Sequence, residues 1–281
     1  MALANLTQLL SSLITANHVL HYHGILDAYG HISVRNPNNV SNFFLSRDLA
    51  PALVSSPSDI VEYRVEDASA VDPSPPAGYI ERFIHSEVLK RYPTVNSVIH
   101  SHTLAVIPFG ITEVPLLPVD QTGSVLGENA PVFEIADYFL PSDSHTLVVR
   151  NARFGAALAS LFSNNGSENT TTPTNNVVLM RGHGMAVIGP DIVAAVFRSI
   201  YTRSVADTQR DALIVAALGG TDGQPNKAGK GGLIRYLSER EKHNIITLGT
   251  SFFKRAWELW VREVEAAAAG QLYQNSFGSP L

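Results

Sequence analysis

The chain has 281 residues, 45% hydrophobic and 16% charged, enough to bury a sizeable core in one α/β domain with a tail. Its net charge of −5 comes without any basic run, which argues against nucleic-acid binding, and the absence of cysteine excludes disulfides, thiol nucleophiles and cysteine-based zinc sites. No basic region opens the N-terminus, and no apolar stretch reaches the roughly 18 residues of a membrane span, so a cytoplasmic protein with no membrane partner is expected.

Leucines 6, 9, 10, 13 and 20 recur at helical spacing, so residues 5–22 read as a helix stopped at Gly24, with His21 and His23 as cations at its C-terminal end. Strands are expected at 31–35 and 42–46, around the Pro37-Asn38-Asn39 turn, and at 59–64. After the loop residues Pro75, Pro76 and Gly78, the spacing of Phe83, Ile84, Val88 and Leu89 predicts an amphipathic helix over 80–91. Glu81 opens that helix, where the dipole favours negative charge, and His85 lies one turn on, within reach of it. The β-branched run from Val95 predicts a strand over 95–103. Residues 128–138 form a mixed segment, 145–149 a strand or the approach to a helix, and 151–161 a helix. Residues 163–176 are polar and low in complexity, a surface loop. Paired strands are expected at 177–180 and 185–188, then a long helix over 191–218, begun by Gly189-Pro190. Six glycines and two lysines make 219–232 a flexible linker, and 233–269 is helical. Strands in the middle with helices before and after predict an α/β sandwich around a mixed, mainly antiparallel sheet. Residues 1–218 would be the catalytic domain and 233–281 a helical extension on the same or a neighbouring subunit.

The chemistry sits in the histidines. In Val98-Ile99-His100-Ser101-His102, strand alternation points both imidazoles to one face. A third, His183, lies in Arg181-Gly182-His183-Gly184, where the glycines let the backbone bend and leave the ring uncrowded. An H-x-H pair alone is a weak signal, and spacing does not by itself bring His183 to it. Three converging imidazoles would make an open divalent-metal site with a position for water or substrate.

A Glu beginning a helix, then an H-x-H strand, then a distant R-G-H-G resembles the class II aldolase/adducin family. Gly30-His31-Ile32-Ser33-Val34-Arg35 is similar to that family's G-N-(I/V)-S-x-R turn, and Arg91-Tyr92-Pro93-Thr94-Val95 through His102 to its R-P-D-V-x-A-V-(I/V)-H-x-H segment. The likeness runs from about residue 5 to about 215. It implies a three-layer αβα sandwich of the class II aldolase type (α+β in the broad sense). It also implies His100, His102 and His183 as metal ligands, and Glu81 as acid/base that also touches the metal when substrate is absent. A homotetramer with sites between neighbouring subunits is implied too, to which Arg255, Trp257 and Tyr236 are candidate contributors, although plain interface packing is the simpler account of them.

The departures narrow the expectation. The family's sugar-phosphate aldolases hold phosphate with the Asn of G-N-x-S and a Ser-Ser before the catalytic Glu; here those positions are His31 and Tyr79-Ile80, which cannot cradle a phosphate. Those aldolases also use a tyrosine beyond the H-x-H strand, and Leu116 to Gln121 contains none. The variant pattern, with Ser46-Arg47-Asp48-Leu49-Ala50-Pro51 and Tyr79-Ile80-Glu81-Arg82-Phe83, is similar to the branch with metal-dependent decarboxylases of hydroxylated aromatic dicarboxylates. That likeness implies a small anionic substrate, held by Arg47 or Arg181 through two-pronged carboxylate pairs, with His31, Ser33 and Tyr79 as further contacts. Arg35 and Arg82 are read as ordinary solvated or salt-bridged residues. Zinc is the first expectation for the metal and manganese the second. Three functions stay open: a decarboxylase of a hydroxylated aromatic or β-oxo-like acid, an aldolase or retro-aldolase on an unphosphorylated substrate, and an adducin-like interaction protein. Retention of Glu81 and all three histidines argues against the last.

Overall fold

A computed structural model of the protein describes residues 5–164, 170–218, 234–247 and 251–281. The expected linker at 219–232 lies outside them, as do residues 165–169 of the polar loop. Seven strands form one sheet, β1 (His31–Arg35), β2 (Asn42–Ser46), β3 (Ile60–Arg64), β4 (Ser97–Ser101), β5 (Val132–Phe133), β6 (Val177–Met180) and β7 (Gly184–Gly189). The order is β3-β2-β1-β4-β7-β6-β5. Every pairing is antiparallel except β5 with β6. The sheet is therefore mixed and mainly antiparallel, as expected.

Alternation along the central strands sends side chains into two cores. Ile32, Val34, Ile99, Met185 and Val187 pack with α1 (Leu6–Tyr22), the short α3 (Ile107–Ile111), α5 (Ile192–Leu218) and α7 (Ser251–Ala267). Phe43, Leu45, Val98, Ala186 and Ile188 pack on the other face with α2 (Arg82–Arg91) and α4 (Ala152–Ser160). The central strands are buried on both faces, so the molecule is a three-layer αβα sandwich. Trp257, Trp260, Val261 and Val264 of α7 enter the first core, and the tail beyond α7 hydrogen-bonds the 52–55 turn through Tyr273 N–H and Ser276 N–H. Among the described residues no helix is long and apolar enough to cross a membrane.

Several elements are shorter than the sequence suggests. Strand β3 starts at Ile60, not Asp59, because the Asp59 carboxylate accepts the N–H groups of Ser55 and Ser56 and closes a turn. Strand β4 ends at Ser101, whose hydroxyl donates to Ile25 O at 2.5 Å and accepts Thr103 N–H, bending the chain away before His102. The 128–138 segment holds β5 and a 3₁₀ turn, 145–149 is neither strand nor helix, and α6 (Glu239–Thr247) and α7 share the C-terminal helical region. Two readings of single residues are corrected. His21 and His23 are not helix-end cations of the simple kind: burial pushes both pKa values down, and their rings bond Tyr273 and Glu263. Arg35 is neither solvated nor salt-bridged. It is buried, and its guanidinium donates to the carbonyls of Val40, Leu89, Tyr92 and Val95, tying the C-terminus of α2 to the run into β4. Arg82 likewise donates to backbone, at Ala68 and Tyr79.

Candidate active site

The fold brings Glu81, His100, His102 and His183 together, with one donor atom from each lying within 4.8 Å of the others. Each arrives from a different element. His100 is in β4 and points to the α2 side, as Val98 does; His102 follows just past the strand end. His183 occupies the β6–β7 turn, in which Gly182 has φ +63°. Gly184 follows at φ +150°, and a Cβ there would lie 1.9 Å from Ser101 O, so only glycine lets this turn come so close to the end of β4. Glu81 is the N-cap residue of α2, one position before the helix proper, and its carboxylate does not cap its own helix. Oε1 accepts Val149 N–H at 2.8 Å, which turns Oε2 toward His100 Nε2 at 3.2 Å and His183 Nε2 at 3.5 Å.

His100 Nε2 and His102 Nε2 are 3.0 Å apart, and His183 Nε2 is 3.2 Å from His102 Nε2. Ligand atoms at about 2.0–2.1 Å from a tetrahedral metal stand roughly 3.3 Å apart, so these edges fit a first-row divalent cation. The outer ring nitrogens support the same reading. His100 Nδ1 donates to Met185 O at 3.3 Å, and His102 Nδ1 to Asp27 at 3.1 Å, which leaves the Nε2 lone pairs facing one another. Facing lone pairs repel unless a cation lies between them. His183 Nδ1 is buried and has no hydrogen-bond partner among the described residues.

Burial and neighbouring side chains shift one imidazole and the carboxylate of the cluster. Burial pushes the His102 pKa down, and the neighbouring His100 adds to this. Burial acts to raise that of Glu81, but the His100 and His183 contacts more than offset it and hold it far below the usual carboxylate range. Asp27 is also held low: burial would raise it, whereas the N–H groups of Tyr29 and Gly30 and the His102 ring stabilise the anion.

The five expected substrate contacts are placed differently. His31, Ser33 and Tyr79 are buried in the wall beside the cluster. His31 is the β1 register partner of His100, with ring centroids 5.2 Å apart, and the Tyr79 ring lies 4.4 Å from it. Tyr79 donates its hydroxyl to Leu49 O. His85, expected to reach Glu81, instead has its nitrogens 2.6 Å from His31 Nδ1 and 2.7 Å from Ser33 Oγ; burial and His100 push its pKa down to about 3. Burial, reinforced by His85 and His100, pushes His31 well below its ordinary value. Arg47 pairs with Asp59 at 2.9 Å, and its backbone bridges Gly78, next to Tyr79. Arg181 stands two residues before His183, half-exposed and paired with Glu134. Of the interface candidates, Trp257 is in the core and the Tyr236 hydroxyl accepts from Gln209 at 3.3 Å.

Sequence reasoning passed over Asp27, Val149 and the carbonyl of Met185. Only Asp27 left a trace, as the acidic residue of the Asp27-Ala28-Tyr29-Gly30 turn ahead of the His31 strand. The other two act through backbone atoms, which carry no sequence signature.

Comparison with known proteins gives the family and its relatives. The model of the class II aldolase and adducin N-terminal domain matches residues 11–210. The chain is 45% identical to decarboxylase tropJ of Talaromyces stipitatus over 262 residues, covering 93% of this chain and 95% of that protein. It is 25% identical to a 3,4-dihydroxyphthalate decarboxylase of Arthrobacter keyseri, covering 90% and 92%. Among solved structures, an aldolase II superfamily protein from Pseudomonas syringae superposes with a TM-score of 0.65 at 19% identity, covering 95% of each chain. With a decarboxylase likeness along most of its length, on this fold, the protein is an enzyme of the lyase kind. The chain belongs to the class II aldolase and adducin N-terminal domain family.

Proposed function

We propose that the protein is a metal-dependent decarboxylase of a hydroxylated aromatic or β-oxo-like carboxylic acid. The observation that carries this is the convergence of Glu81 with three imidazoles, their donor atoms all within 4.8 Å of one another, in a chain 45% identical to a decarboxylase. His100, His102 and His183 would hold a divalent cation, with Glu81 as a fourth donor in the resting enzyme. Imidazole-rich sites suit zinc, and manganese is the alternative. Such a cation supplies Lewis acidity toward an oxygen next to the bond that breaks. Glu81, ionised at rest and anchored through Oε1 by Val149 N–H, would use Oε2 to take a proton from the substrate's hydroxyl or from water and pass it to the carbon that loses CO2. Arg47 and Arg181 are assigned to substrate carboxylates, and His31, Ser33 and Tyr79 to the buried wall that shapes the pocket. Using either arginine requires exchanging its present partner, Asp59 or Glu134, for the substrate. Residues 1–218 are proposed as the catalytic unit and 233–281 as a helical extension, in a cytoplasmic homotetramer with sites between subunits.

The test is a mass-spectrometric screen of metal-replete protein against ortho-hydroxy aromatic carboxylates and unphosphorylated aldols. The expected product is lighter by CO2, is absent with His100→Ala, and is reduced by about 100-fold or more in rate with Glu81→Gln, which still binds metal. His102→Ala is expected to lose both metal and turnover. Full turnover by Glu81→Gln would remove the acid/base assignment, and two carbonyl fragments would mark an aldolase.

A further inference from the structure

A cavity of about 910 Å³ lies away from the Glu81 and histidine cluster. It lies on the opposite face of the sheet, walled by α5, α6, α7 and the turn around Gln121–Leu126. His100 and Val98 point toward α2, whereas Ile99 and Val187 point toward the α5/α7 side, so the sheet itself separates the two places. Its volume falls in the range of small-molecule sites. Its walls are aromatic: the Phe197 ring lies 4.2 Å from Phe253, 5.4 Å from Phe252 and 6.0 Å from Trp260.

Arg198 also lines this cavity. Its Nη1 donates to Ile188 O at 2.6 Å, and among the described residues no carboxylate forms an ion pair with it. Burial pushes its pKa down to about 10, with Asp191 acting weakly the other way, so it remains a cation at neutral pH. The residue is half-buried. Arg255 is a second lining cation, and the one lining carboxylate, Glu128, accepts from Asn164. A desolvated guanidinium with spare donors, at the end of an aromatic chamber, matches a ligand that is apolar over most of its surface and anionic at one end.

We propose that this cavity is a second ligand site, for an organic carboxylate with an aromatic body whose anionic end meets Arg198. The assignment does not depend on the lyase reaction proposed for the other face.

Calorimetric titration of the full-length, metal-loaded protein with 2-naphthoate tests it, with 2-naphthylmethanol as the uncharged comparator. The acid is expected to bind about tenfold or more tightly than the alcohol, and Arg198→Gln to remove that advantage while leaving the alcohol's affinity unchanged. Phe253→Ala is expected to weaken both. The same titration on His102→Ala separates the two faces: binding should persist there. Equal affinity of acid and alcohol for the unmodified protein overturns the proposal even if Arg198→Gln fails to fold. Loss of naphthoate binding in His102→Ala would move it to the metal cluster. Naphthoate that alters the sedimentation coefficient would give this face to a second copy of the chain instead.

Discussion

Asp27 and His102 are 75 residues apart in the chain, yet Oδ2 stands 3.1 Å from Nδ1. The carboxylate fixes which nitrogen carries the proton and so leaves Nε2 free to ligate. Asp27→Asn keeps the shape but weakens the acceptor. It is expected to lower metal affinity by about 10- to 100-fold, measured by competition with a chromophoric chelator, with little change in melting temperature once metal is saturating. Unchanged affinity would mean that the loop backbone alone orients the ring. At this scale the histidines stood out in the sequence through the H-x-H spacing and the Gly-His-Gly turn, and Glu81 only through the family resemblance. The partners did not, since Val149 N–H and Met185 O belong to the backbone and any residue could supply them.

The elements that carry the ligands are held by contacts outside the cluster. Arg35 of β1 donates to carbonyls at the end of α2 and before β4, the two elements that present Glu81 and His100. Arg35→Met would leave several buried carbonyls unsatisfied and is expected to cost about 2 kcal/mol or more in urea unfolding; a change below about 0.5 kcal/mol would mean that water replaces the guanidinium. The Arg47 turn gives a pH dependence. Asp59 is held below its ordinary 3.8: burial opposes this, but the N–H groups and hydroxyls of Ser55 and Ser56 and the Arg47 guanidinium stabilise the anion. A carboxyl whose folded pKa is depressed adds stability above its unfolded pKa and loses it as pH falls through the folded one. Thermal melts should therefore be flat in this contribution above about pH 4 and fall below it, and Asp59→Asn should show a smaller acid drop. An identical acid profile in Asp59→Asn would assign the drop to other carboxyls. From β-branched runs and periodicity the sequence placed β1, β2 and β6 to the residue, and it missed ends of β3, β4 and β7. Those ends are set by side-chain bonds such as Ser101 to Ile25 O, which cross 76 residues.

The whole molecule leaves apolar residues exposed around the cluster in sequence: Ile80 at 64% next to Glu81, and Leu104 at 82% just after His102. Large apolar side chains beside a polar site are expected to be covered by a neighbouring subunit. Light scattering coupled to size exclusion should give a homotetramer, and Leu104→Glu should dissociate it and reduce turnover together. A fully active monomer would end the reading of sites between subunits. What the sequence determined by itself was the set of candidate donor side chains and the class of fold: residue types and the alternation that buries both faces of the central strands are local properties of the chain. What only the tertiary structure decided was convergence, because bringing donor atoms of Glu81, His100, His102 and His183 within 4.8 Å depends on β4 lying beside β7 and on a glycine turn that clears Ser101. The same holds for the cavity at Arg198, whose walls come from five separate segments and whose charge stands out only because burial strips its water.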